Sequence, residues 1–580
     1  MTMPHRIGVN GYAAILTNNG LVLLHPDHRT EFEGIIKPTF NRVDMTEVEI
    51  VDDNNEPRDF NKALLEMRDK IVKQETGYAS FKVKTHMDDM RRVILNTRHY
   101  FYTKIGPFSL VIAMPDRYGF NRIIYNGANV EENAHNLSGL ENTRYWKIHP
   151  EWRYCKHYGE KRIHFKSPEN ELRYFLNRLK QSNWKWSRFC NQGLVKLFIL
   201  DAKITQWYEE HDTHAIKDKI RIYNVRIVFM ATHTGLTRWK SYVFNDTEPE
   251  FIRTNNKAID EIWYKRSIEY NYDSPRSFIY SVPSIQRNIS ESLITATSSV
   301  FAETKGLKAP AAVVGFQFDH SVLNSMLVDL ARPCYSADLS CFILDNNAYI
   351  LVSKQDANVG RFFGSVRPKT MHLLVEDGIY HKTRIFDYQS ICYKDPPQPK
   401  SRSPAYKVSP FYTNIFGIIS WIFTSIMCFI RSALGAGVIK DNPCLRAITH
   451  EYVKRAVEKS LPTPCDREFW LYTLKQRSFV GRNTEKRNAA ADCLWNYIIQ
   501  PVPLSNLVLL VVNEKCLDSM AGYNFVSEPV ELLYNNLSMP CYIATKNNYT
   551  RRRYIACINK HENESRLNPM SKKYCGITWS

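Results

Sequence analysis

One short pattern recurs along the chain and limits its architecture more than any other feature. It is an apolar strand-like run, a tight turn built on Asn or Gly, and a second apolar run. Residues 11–25 read Gly-Tyr-Ala-Ala-Ile-Leu-Thr-Asn-Asn-Gly-Leu-Val-Leu-Leu-His, and residues 341–352 read Cys-Phe-Ile-Leu-Asp-Asn-Asn-Ala-Tyr-Ile-Leu-Val. A looser copy covers 225–239, turning near Gly235. Asn and Gly tolerate the positive φ that tight hairpin turns demand, so each copy is expected to be a β-hairpin. Their irregular spacing implies separate modules and not a solenoid. A chain of 580 residues has room for three or more such units.

The surroundings of the hairpins repeat a theme. A helical pattern over 60–69 precedes strand patterns at 79–84, 92–102 and 108–114. Together they predict a short antiparallel sheet with helices to one side. Residues 275–352 repeat it, with strands at 277–282, 293–300 and 311–318 and then the hairpin at 341–352. Helical stretches near 168–180 and 190–208 separate the two regions. A linker rich in Pro and Ser occupies 394–410. Residues 411–430 carry no charge and by length could span a bilayer. Their interspersed Thr, Ser, Asn and Cys favour a packed or amphipathic helix instead. The expected fold class is α+β.

Charge and cysteine content narrow the function. The formal net charge is +18, but Lys and Arg are dispersed among acids and aromatics, which reads as a solvated basic surface. Neither zinc-finger spacing nor an aromatic-basic RNA signature occurs, so nucleic acid is not an expected partner. The chain has 13 cysteines and no C-x-x-C, which removes the ligand geometry of zinc ribbons and thioredoxin-like sites. Wide spacing suits structural disulfides in an oxidising compartment. The candidates are Cys155, Cys190, Cys334, Cys341, Cys392, Cys465, Cys493, Cys516, Cys541, Cys557 and Cys575. Cys155 with Cys190 is the best local pair, because only a short helical stretch separates them. Other pairings stay open. The odd count implies a free thiol or a bond beyond this chain. Sequons at Asn136, Asn245, Asn288, Asn536, Asn548 and Asn563 are candidate glycosylation sites for a secreted protein. The opening Met-Thr-Met-Pro-His-Arg has no signal-peptide pattern, so a secreted product implies an incomplete chain.

Catalytic constellations are not expected. There is no G-x-S-x-G, no P-loop and no G-x-G-x-x-G after a strand. Glu209, Glu210, His211 and His214 could suggest a metal cluster, but without H-E-x-x-H they read as a polar surface stretch. Asp44, in Val43-Asp44-Met45-Thr46-Glu47, could grip a ligand ammonium near a sheet edge; the plainer role is a loop or helix-capping carboxylate.

An ordered set of strings resembles the alpha-2/delta auxiliary subunits of voltage-gated calcium channels. They include Gly11-Tyr-Ala with Asn18-Asn-Gly20 and His25-Pro26, Tyr100-Phe-Tyr-Thr with Pro107-Phe-Ser-Leu, and Thr234-Gly-Leu-Thr-Arg238. Further along come Trp263-Tyr-Lys-Arg266, Phe278-Ile-Tyr-Ser-Val-Pro283, Gly360-Arg-Phe-Phe-Gly364, Asp387-Tyr-Gln-Ser-Ile-Cys392, Pro464-Cys-Asp466 and Arg551-Arg-Arg553. The resemblance runs from residue 8 to about 575.

It implies tandem Cache (PAS-like) antiparallel-sheet modules with flanking helices, followed by a Cys-rich delta-like region. The implied domains are the C-terminal part of a first Cache module at 1–120, a second Cache-containing region at 145–393, a linker and apolar helix at 394–440, and the delta-like segment at 441–580. It also implies a precursor cleaved near 435–450 whose pieces disulfides hold together. The implied role is to bind the pore-forming subunit from outside the plasma membrane and raise its surface density and current. Asp44 falls in the segment that resembles the family's amine-contacting acid, which makes a small amino acid a possible ligand. The von Willebrand factor A domain and its metal motif have no counterpart here, so no cofactor is expected in this chain. Cys575-Gly576 matches the family's lipid-attachment region, although no apolar tail follows before Ser580. Two rival readings are a free-standing amino-acid sensor ectodomain of the Cache type and a truncated product without function.

Overall fold

The Asn18-Asn19-Gly20 turn closes the first hairpin between Tyr12–Leu16 and Val22–Leu24. Gly20 has φ of +80°, a conformation that side chains disfavour. In the computed structural model a Cβ at this position would overlap the guanidinium of Arg68, so the turn admits glycine for two reasons. The structure describes residues 7–88, 90–125, 140, 145–155, 165–181, 190–209, 214–242, 250–281, 293–330, 334, 339–394, 461–475, 485–486, 497–513, 528–534, 542–543 and 549–550. The chain divides into two units, Met1–Arg29 with Phe40–Asp387 and Arg467–Ser580, and Thr30–Thr39 with Tyr388–Asp466.

Among the described residues, the larger unit holds three antiparallel sheets of five or six strands. In the first, the strand order is Val22–Leu24, Tyr12–Leu16, Phe108–Pro115, Arg92–Ile105, Gly77–Met87. Helix Lys62–Val72 covers it. Asn61 caps the helix by accepting from the Ala63 N–H at 2.9 Å, and Leu64, Met67, Arg68, Ile71 and Val72 form its buried face. That spacing is the 3.6-residue period of a helix with one face in a core. Leu64, Met67 and Ile71 pack with Leu16, Tyr100 and Val111 of the sheet. Ser109 Oγ donates to the Ile71 carbonyl at 2.8 Å and satisfies one of the acceptors left over at the helix end.

The second sheet has six strands in the order Ile279–Ser281, Leu293–Thr304, Leu307–Asp319, Val225–Thr232, Leu236–Ser241, Trp146–Ile148. Its long central hairpin turns at Lys305-Gly306, both at positive φ. At Gly315 the Phe229 ring lies where a Cβ would stand, which lets the ring fill the core beside Trp263. Helices Pro168–Leu179, Gln192–Ile204 and Ile262–Tyr270 contribute Leu172, Phe198 and Tyr264 to the same core.

The third sheet differs from the sequence expectation. The hairpin Leu339–Leu344 with Ile350–Ser353 does not extend the neighbouring strands at 293–319. It pairs instead with Val508–Asn513, which in turn pairs with Tyr497–Pro501 and then Glu485–Lys486. Strand Val508–Asn513 buries every second side chain, Val508, Leu510 and Val512, against Phe342 and Leu344. Matching period-2 apolar faces therefore bring together segments more than 150 residues apart. The antiparallel-sheet α+β class is as expected from the sequence.

In the smaller unit, a two-stranded ribbon, Glu31–Phe32 with Ile35–Ile36, lies near residues 388–394: Lys37 Nζ donates to the Gln389 carbonyl at 2.7 Å, and Tyr393 Oη donates to Glu33 at 2.8 Å. Among the described residues no helix is long and apolar enough to cross a membrane. The apolar stretch at 411–430 lies outside the described residues.

Candidate functional site

Three carboxylates cluster at one end of the first sheet, on the four-residue helix Met45–Val48 and its two flanks: Asp44, Glu47 and Glu49. Asp44 is the cap. Its side chain accepts from the Thr46 N–H at 3.2 Å, and the Glu47 carboxylate accepts from the Asp44 N–H at 3.1 Å, a reciprocal capping box. Both oxygens of Asp44 also meet Arg68. Nε donates to Oδ1 at 2.8 Å and Nη2 donates to Oδ2 at 2.6 Å. The same Nη2 donates to the Asn19 carbonyl at 2.7 Å across Gly20. The Tyr549 ring lies 4.2 Å from the Arg68 guanidinium, and its hydroxyl meets Thr46 Oγ1 at 2.8 Å.

Glu47 and Glu49 each have their own partners. Arg58 Nη1 donates to Glu47 at 2.6 Å, yet burial raises the Glu47 carboxyl above the usual carboxylate range against the pull of Arg58. Glu49 is enclosed by His25 at 3.1 Å, by Tyr100 Oη at 2.7 Å and by the Tyr12 hydroxyl, which in turn accepts from Arg98 at 3.0 Å. Burial alone would raise Glu49, but His25, Arg98 and Tyr12 together outweigh it and hold the carboxyl at about 2. Burial, reinforced by the charge on Glu49, pushes both Tyr12 and Tyr100 well above the usual phenol range. This end of the module is a closed, charge-balanced polar layer. Among the described residues it sets cations against anions: Arg68 on Asp44, Arg58 on Glu47 and Arg98 beside the Tyr12–Glu49 pair.

The sequence singled out Asp44 in this layer and missed its companions. Arg68 carried a readable signal, since a charged residue stands on the otherwise apolar 64/67/71 face of its helix. Nothing local marked Glu49, whose partners come from three other segments.

The structure pairs Cys155 with Cys190, Cys334 with Cys341 and Cys392 with Cys465. Cys493, Cys516, Cys541, Cys557 and Cys575 lie outside the described residues, as do Asn136, Asn245, Asn288, Asn536, Asn548 and Asn563. Glu210 and His211 lie outside them too; Glu209 ends a short 3-10 turn and His214 starts a helix. Among the described residues no group of three His, Cys, Asp or Glu side chains is placed to hold a metal ion.

Comparison with known proteins joins these modules to one family. The family model for the neuronal voltage-dependent calcium channel alpha 2acd region matches residues 140–569, and the CACHD1 middle domain matches residues 11–115. The chain is 27% identical to the voltage-dependent calcium channel subunit alpha-2/delta-3 of Homo sapiens and of Rattus norvegicus, over 97% of its length and 51% of theirs. It is 26% identical to the human alpha-2/delta-4 subunit, over 97% of its length and 49% of that protein. The chain thus spans about half the length of the curated relatives it matches. Among solved structures, it aligns with the ligand-binding domain of the Pseudomonas fluorescens chemoreceptor CtaA in complex with L-serine, at a TM-score of 0.20 and 16% identity, over 32% of this chain and 72% of that one. On the extent of the family-model match, the chain belongs to the alpha-2/delta family of voltage-dependent calcium channel subunits.

Proposed function

We propose that the chain acts as an auxiliary subunit of a voltage-gated calcium channel, binding the pore-forming subunit at the extracellular face of the plasma membrane and raising its surface density and current. The observation that carries this reading is the match in order along 97% of the chain to alpha-2/delta subunits. The three disulfides among the described residues suit that compartment, since such bonds persist where thiols are oxidised. The physics is interface burial: rigid sheet modules present loops to a partner, a role that calls for no chemistry by the chain.

The Cys392–Cys465 bond bears on maturation. A cut near 435–450, as the resemblance implies, would fall inside the loop it closes. Both products would then stay joined by this bond.

The test is co-expression with a pore-forming subunit in cells that lack auxiliary subunits. The chain is supplied once alone and once joined to the N-terminal half of alpha-2/delta-3. Surface biotinylation of the channel and whole-cell calcium current are read. The proposal expects both to rise with the joined chain and the channel to co-purify. Unchanged current and no co-purification would sink it.

For Asp44 we propose the amine-contacting role that the resemblance implies. A ligand ammonium there competes with Arg68 and Thr46 for the carboxylate, so binding requires Arg68 or Tyr549 to move. Calorimetry with a panel of amino acids, on the wild type and on Asp44→Asn, checks it; heat that is the same for both proteins removes Asp44 from the site.

A further inference from the structure

A cleft of about 210 Å³ opens in the larger unit where strand Arg92–Ile105, helix Ile262–Tyr270 and the Asn346-Asn347 turn converge. Arg266 projects from the helix into its wall and is only 6% exposed. Its Nη1 donates to Ser281 Oγ at 2.6 Å and its Nη2 lies 3.4 Å from Asn346 Oδ1. Among the described residues no carboxylate pairs with it. The buried Arg58, Arg68 and Arg92 each have one, in Glu47, Asp44 and Asp345. A guanidinium carries five N–H donors, and two neutral acceptors leave most of them unused. A buried charge with no directly bonded counter-charge is costly; Asp345 and Asp88 act on Arg266 without bonding it, so an anion entering the cleft would gain its remaining donors.

The cleft's other walls select among anions. Arg92 also lines the cleft; Asp88 and Asp345 pair its Nη1 and Nη2, and its Nε is buried without a hydrogen-bond partner. Val93, Ile94 and Ile279 make an apolar side, which suits a hydrocarbon better than a hydrated inorganic ion. Glu269 and Asp273, three and seven residues beyond Arg266, also line the cleft and disfavour a second negative charge on the occupant. At about 210 Å³ the cleft is smaller than the roughly 300–1,000 Å³ of pockets that take drug-sized ligands, which limits the occupant to a small molecule. Burial, with Arg92 beside it, lowers the Arg266 guanidinium to about 9 against the pull of Asp345 and Asp88, so its charged form gains from an anionic partner.

We propose that this cleft binds a small organic monocarboxylate, with Arg266 as the carboxylate anchor and Ile94 and Ile279 against its apolar tail. The site lies apart from Asp44 and does not depend on the channel-partner reading.

The experiment uses the full chain and three probes: sodium butyrate, butylamine and inorganic phosphate. Binding is followed by calorimetry and by the thermal midpoint. Saturable butyrate binding with a raised midpoint is expected, with neither effect from butylamine or phosphate. Arg266→Met should reduce butyrate affinity at least tenfold. Leu95→Trp, at a half-exposed position on the cleft rim that tolerates bulk, should do the same by filling the cleft while leaving Arg266 in place. Absence of butyrate binding to the folded wild type, equal binding of phosphate, or undiminished binding by both variants would each overturn the proposal.

Discussion

Arg68 embraces Asp44 with two nitrogens on two oxygens, 2.6 and 2.8 Å apart, while both side chains are buried beneath Tyr549. The pair ties helix Lys62–Val72 to the cap of helix Met45–Val48 across 24 residues of chain.

Removing one member strands the other. Asp44→Ala leaves a buried guanidinium without a counter-charge and removes a helix cap, so a loss of about 3–5 kcal/mol is expected. The double variant Asp44→Ala with Arg68→Met should lose less than Asp44→Ala alone. Urea denaturation of the four proteins in a thermodynamic cycle measures the coupling; additive losses would contradict the pairing.

Glu49 makes stability depend on acid pH. Its folded carboxyl titrates at about 2, below its unfolded value near 4.5. The unfolded chain therefore binds the proton first. The contribution is fully present above about pH 4.5 and is lost as pH falls through 2. At about 1.4 kcal/mol per unit it amounts to roughly 3 kcal/mol. Glu49→Gln should lower stability at pH 7 and flatten the profile between pH 4.5 and 2. An unchanged slope in that window would remove Glu49 as its source.

Asp201 has the opposite sign. On helix Gln192–Ile204, burial raises its carboxyl to about 6 even though Thr234 Oγ1 donates to it at 2.6 Å. A folded value above the unfolded one means stability is greatest below about pH 4 and falls as pH rises through 6. Asp201→Asn keeps an acceptor for Thr234 and removes the charge. It should stabilise the protein by about 1–3 kcal/mol at pH 8 and have little effect at pH 4. A destabilised variant at pH 8 would show that the charge has a favourable partner.

Cys392–Cys465 is the one bond among the described disulfides that spans residues 395–460. A chain cut by a specific protease at a site inserted after residue 445 should run as one species on a denaturing gel without reductant and as two with it. Cys465→Ser should run as two under both conditions. A single non-reduced band from that variant would place the covalent link elsewhere in the tail.

The local elements and the family were legible in the residue string, because hairpin turns, helix caps and apolar periods depend on neighbours a few positions apart. The 12–24 and 341–352 hairpins and the 62–72 helix follow from such short-range patterns, and the Cys155–Cys190 pair, 35 residues apart, is expected because only a short helical stretch separates its members. Folding in three dimensions decided the rest. It matched Leu339–Leu344 with Val508–Asn513, chose Cys465 as the partner of Cys392, neutralised Asp44 with Arg68, and left Arg266 in a cleft wall bonded to the neutral Ser281 and Asn346. Which buried charges meet is settled by long-range packing and desolvation, and no local pattern encodes either.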